Sequence, residues 1–375
     1  MAVTSKGTAA GLVDWRTVER LTALIPAGPS TSRSARASSV AVLRRSALEA
    51  PAWVARITGL NRAAQQVAET TRVSVVDRAG LVRASTRALR GLMEQVPAPQ
   101  ASEAVRLVGA AEMAGAMSLL ATRLLGQVVP AAGTGADGDV GREGEASPHL
   151  LLVAPNVLAM RRQLDLDMLD LPAWVCLHEM THAVQLAAAP WLGPYLSDSM
   201  RMVIGAVVEA VYGGPGGGAD GTGEQGLRRR PGRAARIAAR AGRGRVLEGL
   251  TNFKERSEVA SLAAALTFLE GHAEVVLDDV HPNRMPSVHR LRAVLSRSRA
   301  ADAGIGPGPG LGPLLLHRLM GLEAKEAQYA DGTAFVRSVV ARIGHEGLNV
   351  VWTDPALLPT PAEIARPDVW VRRVG

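Results

Sequence analysis

The feature that most constrains this chain is an H-E-x-x-H sequence that runs from His178 to His182. The surrounding segment predicts a helix over 171–189. Positions four apart share one face of a helix, so both imidazoles can bind one metal ion, with Glu179 beside them as a candidate general base. The plainer interpretation is two surface histidines on one turn. The flanking residues argue against it, because they predict a buried helix in which paired imidazoles need polar partners such as a zinc ion: Trp174, Val175, Leu177, Val184 and Leu186.

A catalytic zinc ion normally has three protein ligands and one open position, so a third ligand is expected elsewhere in the chain. Glu270 is the leading candidate. Glu274 lies four residues later, on the same face of a predicted helix, where it can hydrogen-bond the far nitrogen of a ligating histidine. Glu209 and His272 are alternatives for the third ligand, and an ordinary solvated acidic face is the non-functional interpretation of the two glutamates.

Hydrolysis at such a site also needs a group that stabilises the developing oxyanion and a surface that holds the substrate. Tyr329 is the candidate oxyanion stabiliser, with His317 and His345 as alternatives. The apolar run His149–Val153 predicts a buried strand, and an edge of that strand beside the metal helix could pair with an extended peptide. Cys176, on the metal helix, is predicted to be a small buried apolar residue with no role in ligation.

The charge of the chain is concentrated in one segment. The formal net charge is +7, and residues 213–245 contain eight arginines against two acidic residues, so almost all of the excess lies there. The rest of the chain is close to neutral, which argues against a nucleic-acid partner. The single cysteine excludes an intramolecular disulfide and fits a reducing compartment.

Apart from that segment, the sequence predicts an α+β fold that is predominantly α-helical, with a small sheet beside the metal helix. Strands are expected at 72–76 and 149–153, and one long helix at 101–129. We expect a mainly helical N-terminal region over 1–130 and a metal-binding domain over 148–375, interrupted by a flexible Gly/Arg-rich insert at 213–244. The absence of a signal-like start and of a long uncharged apolar run predicts a cytoplasmic protein with no membrane partner.

Several longer stretches resemble a known family. The helix "LHEMTHAVQ", the preceding "LLLVAPNV" and the later "FLEGHAEVVLDD" are similar to those of the actinobacterial zincin-like metallopeptidases, as are "GLEAKEAQYADGTAFV" and "LNVVWTDPALLPTPAEIARPDVW". The start, "GLVDWRTVERLTALIPAGP", resembles the subgroup associated with biosynthesis of a deazaflavin coenzyme. The resemblance covers most of the chain outside 131–147 and 213–244.

The resemblance implies a zincin-type fold with a helix-borne zinc site, and it identifies no target. The expected partner is a peptide or protein substrate. The resemblance also implies the arrangement in which a glutamate followed by glycine supplies the third ligand, which Glu270-Gly271 matches. The expected activity is that of a zinc-dependent metallopeptidase, in which His178, His182 and Glu270 hold the metal and Glu179 accepts a proton from the attacking water. The alternative is a non-catalytic zinc-binding structural or interaction protein.

Overall fold

The computed structural model describes residues 7–129, 148–212, 253–302 and 325–375. Most of these residues are helical. The first described range, residues 7–129, contains five α-helices: α1 (Trp15–Thr22), α2 (Arg33–Thr58), α3 (Asn61–Thr70), α4 (Arg78–Glu94) and α5 (Glu103–Arg123). The later helices are α6 (Ala154–Gln163), α7 (Asp170–Ala188), α8 (Leu192–Tyr212), α9 (Phe253–Asp278), α10 (Val288–Asp302), α11 (Lys325–Leu348), α12 (Pro361–Ile364) and α13 (Pro367–Val374).

The strands are short and form two sheets. β1 (Gly7–Thr8) pairs antiparallel with β3 (Pro97–Ala98). The second sheet has the order β2-β5-β4, in which β2 (Arg72–Val76) runs parallel to the central β5 (His149–Val153) and β4 (Gly126–Val129) runs antiparallel to it. The predicted α+β class, mostly helical with a small sheet, is therefore confirmed.

The expectation of one helix over 101–129 is wrong. α5 ends at Arg123, and the chain then forms β4, whose residues pair with β5 in a register that sets Gly126 opposite Leu152. The apolar residues of this stretch are compatible with the period of a helix or of a strand. The strand forms because β5, about 25 residues further along the chain, pairs with it.

The helix that carries the H-E-x-x-H sequence is buried over much of its surface and packs against α2, α3 and α9. Its first turn is held by two carboxylates. Asp167 accepts hydrogen bonds from the backbone N–H groups of Leu169 and Asp170 at 2.7 and 2.8 Å. The Asp170 carboxylate accepts from both the backbone N–H and the hydroxyl of Ser287, which ties α7 to the start of α10. The orientation of α7 is thereby fixed at the end that precedes the two histidines.

α9 and α11 pack so closely that their backbones are in contact. A Cβ added at Gly271 would lie 2.2 Å from the carbonyl carbon of Gly332, and one added at Gly332 would lie 2.1 Å from the carbonyl oxygen of Thr267. No larger residue fits at either position without moving a helix. Because Gly271 follows Glu270, this contact sets the position of the candidate third ligand.

The C-terminal arm, residues 349–375, packs onto α9 and α11 rather than extending from them. Trp352 and Trp370 are buried, and the indole N–H of Trp370 donates to the carbonyl of Leu357 at 2.8 Å. The nearly buried Glu363 carboxylate accepts hydrogen bonds from the backbone and hydroxyl of Thr360 and from the guanidinium of Arg373. Two further hydrogen bonds join Arg373 to backbone carbonyls of the arm. We call this set of contacts the C-terminal clasp.

Two described helical stretches are long and apolar enough to cross a membrane by length and composition alone, Glu103–Arg123 and Ser257–Asp278. Core helices of globular proteins pass the same test. The second stretch is 61% buried and carries Glu270 and His272, so its apolar character is explained by packing inside the fold. Both are weak candidates.

The predicted insert at 213–244 lies outside the described residues, and the predicted domain boundaries stay predictions.

Candidate metal centre

His178 and His182, both on α7, direct their Nε2 atoms towards the same position. The Nε2 atoms of His178 and His182 lie 3.3 Å apart, and the two rings are nearly perpendicular, at 86°. Both side chains are only partly buried, which leaves the shared position open on one side. This is the arrangement expected when two histidines four residues apart on a helix bind the same metal ion.

Glu270 of α9 brings a carboxylate to the same position. Its Oε2 lies 3.4 Å from His178 Nε2 and 3.8 Å from His182 Nε2, and the donor atoms of the three residues all lie within 4.8 Å of one another. Zinc bonds of about 2.0–2.1 Å in tetrahedral geometry separate the ligand atoms by about 3.3 Å. The donor types and their spacing therefore fit a zinc ion, and the three residues form a group that could hold one.

Glu274 lies one turn beyond Glu270, on the far side of His178. Its Oε1 is 3.7 Å from His178 Nδ1, an ion-pair distance rather than a hydrogen bond. Burial disfavours the charged form of His178, but the carboxylates of Glu270, Glu179 and Glu274 outweigh that effect and raise its pKa above the usual value. The same three carboxylates give the position a negative potential, which favours a bound cation.

Glu179 lies between the metal position and the small sheet. A Cβ added at Gly126 of β4 would lie 2.7 Å from Cγ of Glu179 and 3.2 Å from its Oε1. Glycine is thus required at this point for the strand and the glutamate to approach so closely. Sequence reasoning missed Gly126, because it assigned the residue to a helix. The only signal was the glycine itself, inside an otherwise apolar run.

The predicted substrate-binding strand is wrong. β5 lies at the centre of its sheet, with β2 along one edge and β4 along the other, so it has no edge for a peptide. β4 is the outer strand on the side of α7, and it contacts that helix. The sequence located the strand correctly but not its place in the order, which depends on pairing between distant segments.

His272 is not placed as a ligand. Its ring is fully buried, stacks on Phe268 and meets Trp352 edge-on, and its Nδ1 accepts a hydrogen bond from the amide of Gln185 at 3.0 Å. Burial, together with the nearby His345 and His182, lowers the pKa of His272 to about 3, so the ring is neutral near pH 7.

Gln185 is the second residue that sequence reasoning missed. Its Oε1 lies 2.9 Å from Nδ1 of the candidate ligand His182, and its Nε2 donates to the backbone carbonyl of Leu269 at 2.9 Å. The signal was present, since Gln185 follows His182 by three residues on the same helix, within "HEMTHAVQ".

Of the remaining candidates, Glu209 and His345 do not join the group. Glu209 lies on α8 and is exposed. His345 bonds the carboxylate of Asp279 at 3.0 Å. Tyr329 belongs to α11, but its side chain lies outside what the structure describes, as does all of His317, so the oxyanion role of Tyr329 stays a prediction. Cys176 is fully buried, and burial raises the pKa of its thiol, as expected for an unreactive core residue.

The chain is similar to known proteins over nearly its whole length, and not only at the candidate metal centre. The sequence profile of a family described as "Zincin-like metallopeptidase" matches residues 13–371. A crystal structure from Chloroflexus aurantiacus, of a provisionally assigned hydrolase with a novel fold, superposes with a TM-score of 0.59 at 20% identity, covering 96% of this chain and 98% of that one. At this identity the likeness concerns the fold. A search of curated proteins gives no significant match.

Proposed function

This chain belongs to the zincin-like metallopeptidase family, and from that premise we propose that it is a zinc-dependent hydrolase that cleaves peptide bonds. The observation that carries the proposal is the convergence of His178, His182 and Glu270, whose donor atoms lie within 4.8 Å of one another although Glu270 comes from a different helix. The family assignment and the chemistry of this donor set both support a metal-dependent hydrolase.

In this proposal His178 and His182 hold the zinc ion through Nε2, and Glu270 holds it through Oε2. Zinc bound there supplies Lewis acidity, which lowers the pKa of a bound water and polarises the substrate carbonyl. Glu274 faces the opposite nitrogen of His178, so its carboxylate favours the tautomer that leaves Nε2 free for the metal.

Glu179 is the proposed general base. It follows a ligand directly in sequence, its carboxylate is only partly buried, and Gly126 leaves it room beside β4. A carboxylate in this place can take a proton from water and pass it to the leaving amine. A purely structural zinc site has no need of such a residue, which favours the catalytic function over the non-catalytic alternative.

The outer edge of β4 is the proposed substrate platform. In the described sheet β4 pairs with β5 on one side only, and Glu179 lies against Gly126 of this strand. A substrate peptide in extended form can add to such an edge through backbone hydrogen bonds, which brings a peptide carbonyl towards the metal position.

The finer assignments rest on sequence. The buried single cysteine agrees with a reducing, cytoplasmic location. Membership of the actinobacterial subgroup associated with a deazaflavin coenzyme is proposed on the motif "GLVDWRTVERLTALIPAGP" alone.

Metal analysis and hydrolysis assays test the proposal together. Purified wild type should contain close to one equivalent of zinc, Glu270→Ala far less, and Glu179→Gln a full equivalent with at least about a hundredfold slower hydrolysis of a mixed peptide library. Glu94→Gln, an exposed helix position, is the matched control and should behave as wild type. Zinc well below half an equivalent in wild type would refute the metal site, and full activity of Glu179→Gln would refute its role as base.

A further inference from the structure

We infer that Gln185 is a positioning residue, which fixes the orientation of the ligand His182 and couples the helix that carries both histidines to the helix that carries Glu270. The inference rests on the proposed zinc site, and it concerns a residue outside the ligand set. Gln185 lies on α7 and is 1% exposed, so its amide has been removed almost completely from water. A buried amide is costly unless its hydrogen-bonding groups are paired.

The partners of the amide determine its orientation. When Nε2 of His182 faces the metal, the neutral ring carries its proton on Nδ1, which must donate to Oε1 of Gln185 at 2.9 Å. The NH₂ group is then directed to two acceptors on α9, the carbonyl of Leu269 at 2.9 Å and Nδ1 of His272 at 3.0 Å. The Leu269 carbonyl can only accept, and Nδ1–H of His182 can only donate, so both require the same orientation of the amide, which in turn makes Nδ1 of His272 an acceptor.

The bond to Leu269 gives the amide its coupling role. Leu269 immediately precedes Glu270, so one side chain joins the ring of one ligand to the backbone beside another. The distance between His182 Nε2 and Glu270 Oε2 depends on how α7 and α9 are packed, and this amide crosses that interface at the level of the metal position. A shift of either helix would break a buried hydrogen bond.

His272 provides the second support. Its Nδ1 must be an acceptor, which places its proton on Nε2, and its ring is held between Phe268 and Trp352 of the C-terminal arm. The orientation of Gln185 is therefore supported by the aromatic core rather than by solvent. This explains why a fully buried neutral histidine lies two residues from a metal ligand without binding the metal.

The two ligating histidines differ in this respect. Nδ1 of His178 faces the carboxylate of Glu274 at 3.7 Å, whereas Nδ1 of His182 has a hydrogen bond of 2.9 Å to a neutral amide. The shorter of the two contacts is the one made by Gln185, a residue that the sequence analysis did not single out. We therefore expect the geometry of the bound metal to depend on Gln185.

Two variants separate positioning from packing. Gln185→Met keeps the volume and removes all three hydrogen bonds, and Gln185→Glu keeps an acceptor for His182 but loses the donors to α9. Thr181→Val is the matched control, because Thr181 is buried on the same helix and, among the described residues, its hydroxyl bonds only the carbonyl of Leu177. Zinc affinity is measured by competition with a chromophoric chelator, and ligand geometry by the visible absorption of the Co²⁺-loaded protein.

For Gln185→Met we expect zinc affinity to fall about 10- to 100-fold and the Co²⁺ absorption to change in intensity and position. Gln185→Glu should fall between wild type and Gln185→Met in zinc affinity, because it keeps the acceptor for His182 but loses the two donors that couple α7 to α9, and it should unfold at a lower temperature. Thr181→Val should retain the affinity and spectrum of wild type.

Wild-type zinc affinity and an unchanged Co²⁺ spectrum in Gln185→Met would overturn the inference while leaving the zinc site intact. A Gln185→Glu variant that loses zinc as fully as Gln185→Met would also overturn it, because the acceptor to His182 would then have no separate effect. Failure of wild type to bind zinc would instead refute the proposed function, so the two failures are distinguishable.

Discussion

The proposed metal centre and the C-terminal clasp each place a glutamate among nitrogen atoms, and the difference between them shows how a functional site is recognised. In the clasp, Glu363 accepts short hydrogen bonds from Arg373 and Thr360, and its charge is neutralised by the guanidinium. At the metal centre, Glu270 stands 3.4 and 3.8 Å from two imidazole nitrogens, a spacing that suits atoms sharing a metal.

The clasp is neutralised by groups of the chain itself, whereas the proposed metal centre would be stabilised further by a cation taken from solution. Three carboxylates surround His178, and a cation relieves their mutual repulsion. The clasp should therefore respond to mutation of its own residues and be indifferent to metal, and the metal centre should respond to both. Four experiments test this distinction, beginning with the one that should change the protein most.

Zinc removal is expected to have the largest effect. With zinc at about a thousand times its dissociation constant, binding to the folded state adds about 4 kcal/mol to the free energy of unfolding. A strong chelator should lower the melting temperature of wild type accordingly. Glu270→Ala is the control, since it should melt at nearly the same temperature with and without chelator. An equal response of both proteins would contradict the assignment of Glu270.

Arg373→Met tests the clasp. The change leaves the nearly buried Glu363 carboxylate without its counter-charge, so the free energy of unfolding should fall by about 2–3 kcal/mol, as measured by denaturant titration. Arg372→Met is the matched control, because Arg372 pairs with Asp368 at an exposed position and should change stability by less than about 0.5 kcal/mol.

Zinc content should be unchanged in both arginine variants. A loss of zinc in Arg373→Met would show that the clasp and the metal centre are not independent, as packing of Trp352 against His272 could bring about.

Gly126→Ala tests how β4 positions the base. A Cβ here would meet Cγ of Glu179 at 2.7 Å, so the carboxylate must move. We expect hydrolysis to slow by roughly tenfold or more, because small displacements of catalytic groups are costly, while zinc content stays at one equivalent. Gly115→Ala, where an added Cβ meets nothing within 4 Å, is the control. Wild-type activity of Gly126→Ala would show that Glu179 is not constrained by the strand.

Acid titration should give the smallest effect. Burial raises the pKa of Glu363, but hydrogen bonds from Arg373 and Thr360 outweigh it and hold that pKa below its usual value. A carboxylate with a lowered pKa stabilises the fold above its unfolded-state pKa, and this contribution is lost as the pH falls through the folded-state pKa. As the pH falls below the ordinary glutamate pKa, wild type should therefore lose more stability than Glu363→Gln, as measured by denaturant titration at each pH. Parallel curves for the two proteins would contradict this.

Much of the site was accessible from the sequence because it is local. The i, i+4 spacing of His178 and His182 predicts a shared face in any helix, and the glutamates of α9 follow the same rule. The strand at 149–153 is also predictable locally, since its four consecutive apolar residues end at Val153 and Pro155 follows two residues later. These features depend on helix and strand periods that neighbouring residues set by themselves.

The errors concern contacts between distant segments. The stretch after Arg123 became a strand because β5 was available to pair with it, and β5 became central for the same reason. Gln185 was overlooked because its role depends on the carbonyl of Leu269, 84 residues away. The close contact of Gly271 with Gly332 could not be predicted either, since a glycine in a helix gives no indication of what lies against it.

Composition and short spacings are enough to predict the paired imidazoles on one face of α7, the helical character of the chain and the concentration of its charge in one segment. Only the tertiary structure decided that Glu270 meets the two histidines, that β4 rather than β5 borders Glu179, and that an amide joins the two ligand-bearing helices. Those outcomes depend on how α7, α9 and the sheet pack, and packing is set by the fit of many side chains at once rather than by any one of them.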